Sequence, residues 1–136
     1  MNPRKLLSSW LLITALCLAG FPAGAETPPP LSRIVAAVEQ AETAELAKLD
    51  AAIAASVDRA EILDLQRCAA YVKLAGRLAL CEGRLGRTGD EAEKERLAGT
   101  AARLRADLDR REFDLPAGYR YDPLALLKQE VKPCAE

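Results

Sequence analysis

"LQRCAAYVKLAGRLALCEGRL", residues 65–85, decides how the rest of the chain is read. Placed on a helix it carries two apolar stripes. Tyr71, Leu74, Leu78, Cys81 and Leu85 form one, and Leu65, Ala69, Val72, Gly76, Ala79 and Gly83 form the other. Both advance in steps of three and four, the repeat of an α-helix. A helix that is apolar on two sides needs a neighbour on each, so this stretch is the central helix of a bundle. The first stripe is bulky. The second is lined with small residues, which allow close approach of another backbone.

Toward the C-terminus, Gly83, Gly86 and Gly89 end the helix. Thr88 with Glu91, or Asp90 with Glu93, fits a capping box for a third helix, about Asp90 to Phe113. Its stripe is narrow: Leu97, Ala101, Leu104 and Leu108. Acidic residues crowd its start and arginines its end, each opposing the helix dipole beside it. An antiparallel register pairs Leu78 with Leu97, Leu74 with Ala101 and Tyr71 with Leu104. All three pairs fall on the stripes, so the two helices form a coiled-coil-like hairpin.

Toward the N-terminus, an Ala-rich first helix runs from about Leu31 to Val57, with Leu31, Ile34, Val35, Val38, Leu46, Leu49, Ile53 and Val57 on one face. In "SVDRAE", residues 56–61, Asp58 and Glu61 fit a capping box, which favours a turn before a second helix that starts at Asp58; with no Gly or Pro to enforce it, the alternative is one bent helix through residues 56–58. The turn pairs Leu49 with Leu65, Val38 with Gly76 and Val35 with Ala79, large against small. Glu42 and Glu45 interrupt the apolar face. They are expected at its edge, meeting arginines, and they mark the candidate interaction face of the chain.

The fold class is therefore all-α: a small antiparallel bundle of helical hairpin, Ala-rich first helix and short C-terminal helix. In the tail, Pro116 and Gly118 make a turn and Asp122 with Pro123 opens a last helix over residues 123–131. Tyr119 and Tyr121 are expected to cover the open end of the bundle. The last helix is expected to start level with the top of the hairpin and descend about 14 Å at helical rise, which brings Cys134 near the level of Cys68 and, with stretching, toward Cys81.

Residues 1–25 read as a secretory signal peptide. Arg4 and Lys5 precede an apolar run, and Ala23-Gly24-Ala25 supplies the cleavage site. The run is shorter than the roughly 20 residues of a spanning helix, so no integral membrane segment is expected after cleavage. Residues 26–30 form a Pro-rich spacer and residues 31–136 one helical domain. The expected localisation is the periplasm or the outside of the cell.

Cys17 leaves with the leader. Cys68 and Cys81 on one helix are about 20 Å apart in rise and roughly 140° apart in direction, too far to bridge. An oxidising compartment favours pairing, and Cys134 is the available partner, first for Cys68 and alternatively for Cys81. A bridge across so long a loop contributes about 3–4 kcal/mol.

The chain contains no histidine. That removes Ser-His-Asp and Cys-His catalysis and most zinc enzymes. No phosphate loop and no Cys-x-x-Cys occurs, so no catalytic, cofactor or metal residues are expected. A formal charge of −1 with mixed signs and no block of like charge gives no nucleic-acid signal along the sequence. The general pattern resembles that of small exported helical chaperones and stress sensors, without their Leu-Thr-x-x-Gln repeats. The expected function is non-enzymatic: an exported adaptor or structural module acting on an unknown protein partner or on itself. The alternative is a holdase-type chaperone or envelope-stress protein.

Overall fold

The computed structural model describes residues 28–130. It contains four helices: α1 (Leu31–Ala55), α2 (Arg59–Leu85), α3 (Glu91–Glu112) and α4 (Ala125–Glu130). The leader and Cys134 lie outside the described residues.

The three long helices pack as an all-α bundle with α2 in the middle. No Cα of α1 comes within 8 Å of one in α3, so the helices form a row and not a closed triangle. The physical reason lies in α2. At 100° per residue the centres of its two stripes stand about 160° apart, nearly on opposite sides. Neighbours seated on them must lie to its left and right. We call the end at residues 56–58 the turn end and the end at 86–90 the loop end.

Both α2 and α3 start with the same device. "SVDRAE" and "TGDEAE" share one pattern, Ser/Thr-x-Asp-x-Ala-Glu. Asp58 Oδ1 accepts from the Ala60 N–H at 3.0 Å, and Asp90 Oδ1 accepts from the Ala92 N–H at 3.1 Å. The Ser56 hydroxyl donates to Glu61 at 2.6 Å, and the Thr88 hydroxyl to Glu93 at 3.1 Å. Each hydroxyl oxygen also accepts from the N–H of its aspartate, at 3.3 and 3.4 Å. The N-caps are thus satisfied, and at residues 56–58 this is done without Gly or Pro. α1 has no side-chain cap. Its start is clamped instead by Arg87, which donates from Nη1 to the Gly83 carbonyl at 2.8 Å and from Nε to the Pro29 carbonyl at 3.2 Å.

On the hairpin side, Leu78 and Cys81 bury against Leu97 and Ala101, flanked by Leu85, Leu104 and Leu108. The Cys81 thiol donates to the Leu97 carbonyl at 3.3 Å. The α1–α2 side holds two clusters. Ile34 and Val38 meet Ala79 near the loop end, and Leu49 meets Cys68 and Val72 near the turn end. Val38 and Val72 are fully enclosed, each contributing about 1.5–3 kcal/mol of burial. A Cβ built on Gly76 would lie 3.4 Å from Val38 Cγ1, which is the pairing read from the sequence. Ile34, and not Val35, packs on Ala79. One turn before Val38, Ile34 shares its phase, whereas Val35 falls at the rim. Gly83 does not end α2. It is buried inside it, and a Cβ there would touch Ile34 and Leu31 at 3.4 to 3.5 Å.

The tail forms a strap that runs from the end of α3 back along the α1–α2 side. After α3 the chain turns at Pro116–Tyr119, where Gly118 takes φ 84° and the Tyr119 N–H returns to the Pro116 carbonyl at 3.1 Å. A positive φ at the third position of such a turn favours glycine. Leu115, Tyr119 and Tyr121 then pack over the Leu49–Cys68–Val72 cluster, and Leu124 and Leu127 over the Ile34–Val38–Ala79 cluster. The strap therefore climbs from the turn end toward the loop end. It passes Cys68 before α4 begins. α4 starts at Ala125, two residues later than expected, because Asp122 holds a preceding turn by accepting from the Leu124 N–H at 2.9 Å and from Lys128 at 2.6 Å.

Candidate functional site

The strap face gathers the polar residues singled out in the sequence. Glu45 accepts a hydrogen bond from the Tyr119 hydroxyl at 2.9 Å and lies 3.8 Å from Lys48. Glu42 leans over Gly76, its Oε2 standing 2.8 Å from where a Cβ would be. The arginine partners expected for these two carboxylates are not what they meet. Both are half-buried, and the chain's own tail lies along this edge: Ala41, Ala44 and Glu45 share a shallow depression with Tyr121 and Ala125. Tyr119 and Tyr121 cover the α1–α2 seam from the side, not the open end of the bundle.

All three tyrosines of the chain line one open cleft of about 440 Å³, with Glu112, Leu115, Arg120 and Asp122. Burial, then the bond to Glu45, pushes the Tyr119 phenol well above its ordinary range. Burial, then the charges of Glu42, Glu45 and Asp122, pushes Tyr121 up to about 12. Burial and then Glu112 and Asp109 raise Tyr71. All three phenols stay protonated at neutral pH, so they act here as donors and apolar surface and not as bases. The Tyr121 hydroxyl is buried with no hydrogen-bond partner among the described residues. Such a group costs about 1–3 kcal/mol unless water reaches it.

Cys68 and Cys81 are both buried and not bonded to each other. They face different seams, as their spacing implied. Burial first, then Asp64 and Glu45, pushes the Cys68 thiol up, which suppresses the reactive thiolate. Both expected pairings, Cys68–Cys134 and Cys81–Cys134, involve a residue outside the described ones. Among the described residues no three His, Cys, Asp or Glu side chains group closely enough to hold a metal.

The turn end carries a feature the sequence reading missed. Among the described residues the exposed large apolar side chains are Val57 at 101%, Leu63 at 46% and Phe113 at 91%. All three sit at this end. Val57 was expected on the apolar face of the first helix, but α1 stops at Ala55 and Val57 projects from the turn. Leu63 lies on the α3-facing side of α2, and the Leu78–Leu97 register brings it level with the end of α3, where Phe113 follows. The signal was available: the second capping motif fixes the end of α1 before Val57, and Leu63 falls one turn beyond the last α3 residue able to cover it.

Among the described residues no helix is long and apolar enough to cross a membrane. Comparison of the chain with protein-family models, with curated proteins and with solved structures finds no match.

Proposed function

We propose that this chain is an exported helical adaptor that works through protein–protein contact, with its turn end inserted into an apolar recess of one partner protein. The observation that carries the reading is the gathering of Val57, Leu63 and Phe113 at one end while the other large apolar residues among the described ones are at least partly covered. Scattered apolar residues on a surface need no explanation, but a group of them at one tip is what a docking contact looks like. The leader pattern of residues 1–25 supports export, and the absence of histidine supports a non-enzymatic role.

The test is a photo-crosslinking residue placed at position 113 or 63 in living cells. One crosslinked protein at both positions, lost when Leu63→Ser or Phe113→Ser is added, supports the adaptor. A ladder of many clients supports the holdase reading instead, and no crosslink at either position removes the docking end. Mass mapping of the recovered protein, alkylated before reduction, reads cleavage after Ala25 and the pairing of Cys134 with Cys68 or Cys81 in the same experiment.

A further inference from the structure

α2 has four sides. Two hold its neighbours, and a third, with Cys68 and Ala75, is buried beneath the strap side of the row. The fourth carries Arg59, Gln66, Lys73, Arg77 and Arg84, all exposed. Their steps of seven, seven, four and seven keep them on one line. α3 continues this side with Arg96, Arg103 and Arg111, also exposed. These lie away from Arg105, whose guanidinium reaches Glu82 on the strap side.

None of these seven cations takes part in an ion pair among the described residues. The acidic residues of α2, namely Glu61, Asp64 and Glu82, point elsewhere, and Asp107 on this side of α3 is already paired with Arg110. Glu39 and Asp50 lie at the α1 edge, so the positive field is centred on α2 and α3. The strap side is mixed: Glu42, Glu45, Glu82, Glu112 and Asp122 stand there with Arg105, Arg120 and Lys128. The one-sign face is therefore set apart from the charges on the other side of the row.

The shape of the basic face selects its partner. A row of helices is flat, and the line from Arg59 to Arg84 spans about 38 Å. No helix stands out from it to enter a duplex groove. None of the tyrosines lies on it to stack bases, because all three line the cleft on the other side. We propose that the α2–α3 basic face docks on an anionic lipid surface, with the strap and its cleft turned away from the membrane. This goes beyond the adaptor reading, since the docking end at Val57, Leu63 and Phe113 is a separate surface.

The test is co-sedimentation of the protein, as purified from expressing cells, with vesicles. Phosphatidylcholine containing one-third phosphatidylglycerol is compared with phosphatidylcholine alone, at about 50 mM and about 500 mM salt. Binding should favour the anionic vesicles and fall with salt. Each cation near such a surface is worth about fivefold in partitioning, so Arg77→Gln/Arg84→Gln/Arg103→Gln should weaken anionic binding by about a hundredfold. Arg105→Gln/Arg120→Gln, on the strap side, should leave it unchanged. Unaltered urea midpoints keep the comparison clean. Equal binding to both vesicles, equal loss in both variants, or displacement from vesicles by a single-stranded oligonucleotide at the same salt would overturn the proposal. The crosslinking at positions 63 and 113 is read separately, so either surface can fail alone.

Discussion

Two glycines on the same stripe of α2 should respond differently to the same added methyl group. Gly83→Ala places a Cβ 3.4 Å from Ile34 Cγ2, 3.5 Å from Ile34 Cδ1 and 3.5 Å from Leu31 Cδ1. These are ordinary contacts. The helix gains about 0.8–1.0 kcal/mol in propensity, and the methyl buries apolar area worth about 0.8 kcal/mol more. With partial strain, we expect about 1 kcal/mol of stabilisation. Gly76→Ala has the same propensity term, but its Cβ would sit 2.8 Å from Glu42 Oε2 and 3.4 Å from Val38 Cγ1. Val38 is fully enclosed and cannot retreat. The Glu42 carboxylate must move, and as the far end of a flexible side chain it can swing aside at modest cost, so the expected net stabilisation lies between zero and about 0.5 kcal/mol. Adding Glu42→Ala removes the obstruction, and the double variant should recover the full propensity gain with a coupling of about 0.5 kcal/mol. Urea unfolding at a common m-value reads all four proteins, a 1 kcal/mol change moving the midpoint by about half a molar. If Gly76→Ala stabilises as much as Gly83→Ala and shows no coupling to Glu42→Ala, the Glu42 carboxylate does not obstruct the space over Gly76 and the expected difference between the two glycines is refuted.

Tyr119→Phe removes the strap's hydrogen bond to Glu45 and should cost about 1–2 kcal/mol, read as faster hydrogen exchange over residues 115–130 with α2 and α3 little changed. The phenols of Tyr119 and Tyr121 titrate higher folded than unfolded, so their stabilisation is complete below about pH 10 and drains away as pH rises toward 12; urea midpoints should fall across that window, and fall less in Tyr119→Phe/Tyr121→Phe. Asp58→Ala and Asp90→Ala each delete one of the twin N-caps and should destabilise by about 1 kcal/mol apiece, whereas Asn at either site should retain most of that.

What could be read in the sequence was whatever repeats along a helix. The two stripes of residues 65–85, the hairpin register and the Val38–Gly76 contact depend only on periodicity and on the size of facing side chains. Ends and tails were less legible. Val57 fits the phase of α1, yet the hydroxyl of Ser56 is taken up by Glu61 and Asp58, so the helix stops first. How far the strap travels before α4 begins is set by where Leu115, Tyr119, Leu124 and Leu127 find apolar partners, and no local pattern encodes that. Glu42 and Glu45 were recognised as interruptions, but the tyrosine that meets Glu45 lies 74 positions away. The basic face escaped a search for runs of like charge because its cations are at least four residues apart along each helix. Sorting the same residues by helical phase reveals it.

The row architecture ties these observations together. α1 and α3 each have one apolar stripe, and only α2 has two. A closed triangle would ask every helix for two adjoining contact faces, and α1 and α3 do not have them. With the stripes of α2 nearly opposed, the row is the arrangement that buries every stripe, but it leaves two broad faces uncovered. The strap closes one, laying Leu115, Tyr119, Tyr121, Leu124 and Leu127 across the α1–α2 seam. Nothing in the described chain closes the other, and there α2 carries cations in place of apolar residues. A face that only needed solvation would be served by mixed charges, as at the start of α3, where Lys94 meets Glu91. Cations of one sign and without partners repel one another, at a small cost in stability to the free protein. An anionic surface laid against that face removes the cost.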